Sequence, residues 1–396
     1  MGVEPNPYVI KDGELMSNNG NLLLVDENGT LTLPDSVTKI GEGAFANVEG
    51  LKTIIIPGTV KTIGGNAFSN NTTLEKVVMQ EGVKIIGARA FAGCANLTEV
   101  TLPDSLKTIQ SQAFMYCKKL EYIEIPTNIE KIDEYVFSLT SLANIKLRGN
   151  KIKSIEKEAF YGCPLREFTI TKDVENISST AFDHCTELAN IKIDTQNSKF
   201  IYQNGLLLPS TKDSILYVST KYYENSTTFE IPEGVVDFAC NIQELKNITK
   251  LVIPETTISI NTRNLPTNIK EVEIAETNEN LKAVEDCIYT KTEPETLMFC
   301  YSKAMEIKLQ EPAKVIDQYA FSGATKATKI VLNEKTEKIK NQVFSTCYSL
   351  RNVEMGKLVS SINSMFALGN YNINLTIDTE NPNYVMDDGA LYNKNK

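Results

Sequence analysis

Leu97-Thr98-Glu99-Val100-Thr101-Leu102-Pro103-Asp104-Ser105-Leu106-Lys107-Thr108-Ile109-Gln110-Ser111-Gln112-Ala113-Phe114-Met115-Tyr116-Cys117 decides the fold. It opens on Leu97, Val100 and Leu102 in near alternation with polar residues and closes that segment with Pro103. Period-two alternation with β-branched residues reads as a strand with one buried face. Ile109 follows, and five residues later comes Phe114 with a small Ala before it. The Ile and Ala/Val-Phe pair recurs on both sides, with Phe at 45, 68, 91, 114, 137, 160 and 182. It returns at Ala320-Phe321 and Val343-Phe344, and a shortened copy runs from Ile362 to Phe366. Chance does not hold such a register through seven successive copies, so internal repetition governs the fold.

The second buried position of each strand can be followed along the chain from Leu33, Ile56, Met79 and Leu102 to Leu332, Met355 and Ile377. It marks fifteen rungs, and most intervals are 21 to 23 residues. Two are long, 38 from Ile193 to Ile231 and 35 from Ile274 to Leu309. Each long interval holds two apolar segments around a polar turn, Asn204 to Val218 and Asp286 to Cys300, which read as β-hairpins. A similar unit opens the chain (Asp12-Gly13-Glu14-Leu15 through Leu22 to Val25), and half of one closes it at Asp388-Gly389-Ala390-Leu391-Tyr392, as though the native chain ran on.

One such turn cannot bury its apolar face alone. Stacked turns place equivalent residues at strand spacing, about 4.8 Å. The expected fold is therefore a mainly β, right-handed solenoid of about fifteen rungs with short cap turns. The expected organisation is one continuous array. A hairpin cap spans 1–30, regular repeats 31–196, hairpin insertions with degenerate repeats 197–306, regular repeats 307–378, and a partial hairpin 379–396.

The unit quoted above resembles the BspA-like, or treponemal-type, leucine-rich repeat. The likeness is strong from Leu31 to Ile193 and from Ile307 to Ile377, and weak over 228–275, where strands persist without an Ala-Phe cap. The resemblance implies a bacterial surface or secreted protein with adhesion or host-protein binding as its role. Such repeats specify fold firmly and function loosely.

Composition narrows the partners. Net charge is −10 and no Lys/Arg run exceeds two residues. Nucleic-acid binders need a basic face to displace counterions, so nucleic acid is not an expected partner. No apolar stretch approaches the roughly 20 residues of a membrane span. Met1 to Pro5 carries neither a basic nor an apolar region, so an export signal is not visible. A cytosolic protein and a mature exported one both fit, and the resemblance favours export.

Catalytic constellations are scarce. His184 is the single histidine, which removes triads and paired zinc-binding motifs. It holds a position filled by Gly93, Tyr116 and Thr346 in other turns, so its expected role is structural. Of eight cysteines, Cys94, Cys117, Cys163, Cys185 and Cys347 share one repeat position, three after the Phe. Repetition explains them better than metal ligation, and no C-x-x-C pair occurs. Cys287 and Cys300 differ, because they can face each other across a hairpin as a disulfide. Acidic pairs such as Asp26-Glu27 and Asp387-Asp388 flank turns. No catalytic residue, metal ligand or cofactor is expected.

The outward strand positions make the face on which such solenoids usually bind. Along it lie Lys76, Glu99, Tyr122, Glu124, Lys146, Glu167 and Lys192, with charges alternating in sign and one aromatic ring. That argues against a sugar-stacking platform and against a single-sign groove, and is compatible with a protein ligand or with no binding at all; the expected partner is a protein, such as a host surface or matrix protein, bound by a monomer. A structural spacer and a carbohydrate-recognition module are the alternative readings. Tyr222 and Tyr223, beside the first inserted hairpin, form a competing candidate surface.

Overall fold

A computed structural model describes residues 8–11, 14–17, 26–365 and 373–394. The protein is a mainly β solenoid of about 15 turns. The only helix among the described residues is a 3₁₀ turn at Thr262–Asn264. The chain divides into two compact units, Met1–Ser210 with Leu216–Tyr222, and Thr211–Ile215 with Tyr223–Lys396.

In the first unit each turn supplies a long strand and a short one, for example Thr53–Ile56 and Thr62–Ile63. Successive turns pair in parallel and in register. Thr53, Ile54, Ile55 and Ile56 sit opposite Lys76, Val77, Val78 and Met79. Because side chains alternate across a strand, Ile54, Ile56, Val77 and Met79 all point inward and are buried. Ile40, Ile63, Ile86 and Ile109 do the same on the short strands.

The Phe residues close the third side. Phe45, Phe68, Phe91, Phe114, Phe137, Phe160 and Phe182 are buried, and neighbouring rings stack with centroids 5.0 to 5.8 Å apart. Backbone bonds run along this edge too. Phe45, Phe68 and Phe91 donate N–H to the carbonyls of Ala67, Ala90 and Ala113 in the next turn. Val136 and Val343 accept the same bond from Phe114 and Phe321 at 2.9 and 3.1 Å, so the position takes a small or β-branched side chain.

The cysteine position proves to be a hydrogen-bond slot. The Cys94, Cys117, Cys163 and Cys185 thiols donate to the carbonyls of Phe68, Phe91, Phe137 and Phe160 in the preceding turn, at 3.0 to 3.2 Å. Cys347 repeats the bond to Phe321. Asn71 fills the same slot and donates to Phe45 O at 2.6 Å. In these turns the slot supplies a short donor to a buried carbonyl that would otherwise cost free energy.

The hairpin insertions are larger than the sequence pattern implied. Asn204 and Gly205 are not the start of a strand. They form the tight turn between Phe200–Gln203 and Leu206–Pro209, with φ of 50° and 74°. Positive φ at both centres is what a two-residue turn needs to match strand twist. Tyr217–Val218 then adds to Leu206–Pro209, giving three strands where two were expected. The opening hairpin pairs Tyr8–Lys11 with Glu14–Ser17. Asp12, Gly13, Leu22 to Val25 and Phe366 lie outside the described residues.

The second unit repeats these devices. Thr228–Glu230, Lys250–Ile253 and Glu271–Ile274 pair in parallel. So do Glu306–Lys308, Lys329–Val331, Asn352–Met355 and Asn374–Ile377. Phe321 and Phe344 stack at 5.3 Å. Where the Ala-Phe cap is missing, Phe229 packs on Phe238 at 5.8 Å. The second insertion turns at Glu285 and Asp286, and Thr296–Cys300 joins the short-strand sheet through Val315–Ile316. Tyr384–Asp387 and Ala390–Asn393 form the closing hairpin.

Candidate functional site

On the long-strand face of the first unit, the alternating charges meet across neighbouring strands. Lys76 Nζ lies 2.7 Å from Glu99, Lys146 Nζ 3.1 Å from Glu124, and Lys192 Nζ 2.7 Å from Glu167. Exposed pairs of this kind contribute roughly 0–1 kcal/mol each. Their larger effect is to neutralise the face pair by pair. Lys250 and Lys329 do likewise in the second unit, each with two glutamates.

Among the described residues the long-strand ladder of this face is interrupted between Asn144–Leu147 and Glu167–Ile170, where the short strands still pair, and at Tyr122, where neither set does. Thr98 and Glu99 donate N–H to Glu75 O, and Ala143 and Asn144 donate to Glu121 O. Among the described residues, however, no ladder bond joins Glu99–Thr101 to Tyr122–Ile125, and the short strands Thr108–Ile109 and Lys131–Ile132 are likewise not paired with each other. The cap edge stays bonded through Gln112, Phe114 and Tyr116, whose N–H groups reach Glu134, Val136 and Ser138.

At this opening the Leu102 carbonyl has no strand N–H to accept from, as is also true of Leu33 and Met79 opposite Pro57 and Pro103, where the ladder is intact. The carbonyls of Ile56 and Ile125 accept from the N–H of Gln80 and Arg148. Opposite Leu102 stands Pro126, which has no N–H to give. The Arg148 guanidinium takes over, donating Nη2–H to Leu102 O at 2.6 Å, with Asp104 at 3.4 Å and Glu124 at 3.9 Å. The result is a recess of about 270 Å³ lined by Glu99, Val100, Leu102, Tyr122, Glu124 and Arg148 among others. Val100 is only half-buried there, unlike its fully buried counterparts Ile54 and Val77.

Tyr122 stands at the rim with 47% of its surface exposed. Its hydroxyl donates to Glu124 Oε1 at 2.6 Å. Hydrogen bonds from Tyr122 and Lys146 hold the Glu124 carboxyl below its usual range, and the same bond to Glu124 raises the Tyr122 phenol. Both shifts keep the ring fixed by a charged acceptor. The arrangement offers a rigid aromatic surface, two carboxylates and a guanidinium. Among the described residues no group of three His, Cys, Asp or Glu is placed to hold a metal, and no helix is long and apolar enough to cross a membrane.

Of the residues singled out in the sequence, Glu99, Tyr122 and Glu124 line the recess, with Lys76 and Lys146 bound to its carboxylates. Glu167 and Lys192 pair with each other and are not part of it. Arg148 is the component that sequence reasoning missed. Tyr222 is 54% exposed, and its ring lies against Gly205 in the hairpin turn. Tyr223 belongs to the second unit and packs on Phe229 at 5.2 Å. Tyr217, Tyr289, Phe299 and Tyr301 are buried and cover the core where the cap is absent.

His184 lies in a cap turn with φ of 60°, its ring 4.8 Å from that of Tyr161. Beside it, burial pushes the half-buried Asp183 carboxyl up to about 6, with Glu158 adding to the rise and His184 opposing it. An Asp titrates near 3.9 when unfolded. Its contribution to stability is therefore full below about 4 and is lost as pH rises through about 6. Asp183→Asn is expected to shrink the rise in melting temperature between pH 7 and pH 5 relative to the parent. An undiminished rise in the variant would contradict this.

The BspA type leucine rich repeat region family matches residues 27–139, 61–189 and 292–395. Among solved structures, the chain is similar to a leucine rich cell surface protein from Faecalibacterium prausnitzii, at 25% identity over 87% of this chain and 92% of that one, with a TM-score of 0.66. It shares its fold with a leucine-rich repeat protein from Eubacterium ventriosum (17% identity, 93% and 96% of the two chains, TM-score 0.51). A leucine-rich repeat protein from Bacteroides ovatus shares it as well (20% identity, 92% and 91%, TM-score 0.50). No curated protein matches the chain.

Proposed function

Because the chain belongs to the BspA-type leucine-rich-repeat family, we propose that it is a non-catalytic bacterial surface or secreted protein that binds another protein at the recess around Tyr122. The likeness to a cell surface protein over most of both chains supports the location. One observation carries the binding reading. Tyr122 is exposed, yet its hydroxyl is held by Glu124, which Lys146 holds in turn. A ring fixed before binding loses little entropy on contact, and tyrosine is enriched in protein interfaces. The partner class is a host surface or matrix protein, engaged by a monomer.

The test is surface plasmon resonance against immobilised fibronectin, laminin and collagen. One of them is expected to bind the parent. Tyr122→Ala is expected to weaken that binding by about 30-fold, the effect of removing a hot-spot ring worth about 2 kcal/mol. Tyr222→Ser with Tyr223→Ser is expected to bind like the parent. Parental affinity in a folded Tyr122→Ala variant would remove the recess as the site.

A further inference from the structure

We propose that Cys287 and Cys300 form an intrachain disulfide when the protein folds in the presence of a disulfide oxidant, while the other six of its eight cysteines remain thiols. The two face each other in the antiparallel pair Cys287–Thr290 and Thr296–Cys300. Their place in the ladder decides the geometry. Tyr301 N–H donates to Asp286 O at 2.8 Å, so the bond straddles the Cys pair. Cys300 N–H goes instead to Ala320 O. Cys287 and Cys300 are therefore a non-hydrogen-bonded pair, whose Cα atoms stand about 4.5 Å apart with side chains close on one face. A disulfide spans Cα atoms about 4.4–6.8 Å apart. Both side chains enter the same buried cluster, beside Tyr289 and Leu297. A hydrogen bond to Cys300, and then burial, push the Cys287 thiol well above its usual range.

The other cysteines have a different geometry. Cys94 and Cys117, or Cys163 and Cys185, sit in parallel turns with side chains pointing the same way. Parallel stacking leaves their Cβ atoms about 4.8 Å apart, beyond the roughly 3.5–4.5 Å a disulfide needs. Each of these thiols is also committed to a Phe carbonyl.

The chemistry is thiol–disulfide exchange with a disulfide R–S–S–R. One cysteine thiolate attacks a sulfur of R–S–S–R, forming a mixed disulfide and releasing R–S⁻. The second thiolate attacks the protein sulfur of that mixed disulfide, closes the Cys287–Cys300 bond and releases the second R–S⁻. The two cysteine protons end on the two R–SH products. The cysteines are oxidised by two electrons and R–S–S–R is reduced by two. Both thiols are buried in the fold, so the exchange belongs to folding, before the hairpin packs on Val315–Ile316.

The full chain is denatured and reduced, refolded with a mixture of reduced and oxidised glutathione, and quenched in acid. It is then alkylated in denaturant and weighed intact. The expected result is six alkylated cysteines and a proteolytic fragment pair joined through Cys287 and Cys300. Eight alkylated cysteines, or a bond between any other pair, overturns the proposal. Cys287→Ser with Cys300→Ser is expected to refold with all six remaining cysteines alkylated. A disulfide in that variant also overturns it. The map of the parent chain needs no mutation, so it decides the matter even where the variant misfolds.

Discussion

Phe114→Ala is expected to destabilise the first unit by about 3–5 kcal/mol, the usual cost of truncating a buried Phe. Phe114 lies between Phe91 and Phe137, with ring centroids at 5.4 and 5.8 Å. The void has no easy way to collapse. Phe91 donates to Ala113 O at 2.8 Å, and Phe114 donates to Val136 O at 2.9 Å. These bonds fix the spacing of the turns around it. A solenoid's stability is a sum of local and nearest-neighbour terms, so the loss acts first on the turns either side. Urea unfolding followed by circular dichroism is expected to show an early transition split from the rest. An unchanged midpoint would contradict the placement of this ring at the centre of the cap stack.

Gly58→Ala is expected to cost about 3 kcal/mol, the upper range for overpacking a filled site. A Cβ at Gly58 would stand 1.8 Å from Glu81 O, and one at Gly82 would stand 2.2 Å from Gly58 O. Both obstacles are backbone atoms of the adjoining turn. They cannot retreat without breaking the ladder between Thr53–Ile56 and Lys76–Met79. Gly43 is the matched control. It has φ of +63° but nothing within 4 Å of the added atom. Gly43→Ala is therefore expected to cost only the left-handed backbone penalty, about 1 kcal/mol. Similar midpoints for the two variants in thermal unfolding would show that turn-to-turn approach is not the constraint.

Whatever the fold repeats was legible in the chain. Ile and Phe recur at fixed offsets, and each buried side chain followed from that register. Features that break the repeat were harder to read. Asn204-Gly205 carries the composition of a tight turn, yet it sat beside apolar residues that continue a strand pattern, and the turn was placed too late. The cysteine column read as a product of repetition, with no reason for the thiol itself. Asn71 in the same column was the sign that hydrogen bonding governs it. The charges at Lys76 and Glu99 showed alternation, but not that each pair closes on itself. Arg148 was out of reach because its contact with Leu102 skips a turn, and a column-by-column reading compares only equivalent positions. Pro126 leaves the Leu102 carbonyl open to Arg148, but Pro57 and Pro103 hold the same position beside intact ladders, so it does not by itself mark the opening. Exposure of Tyr122 against burial of Tyr217 followed from tertiary packing, which composition does not encode.

The opening beside Tyr122 also sets how the first unit yields to force. Between the other regular turns of the first unit from Leu33 to Ile170, backbone bonds run along the cap edge and along at least one of the two strand sheets. Between Leu102 and Ile125 the cap bonds of Gln112, Phe114 and Tyr116 stand without a strand ladder on either sheet. Among those turns, a load pulling them apart meets its weakest joint there, and a bending load finds its pivot along the Phe stack. Arg148 spans that joint as a tether, carrying tension from the turn beyond it to Leu102. Under such a load the first unit would give first at the recess proposed above as its binding site.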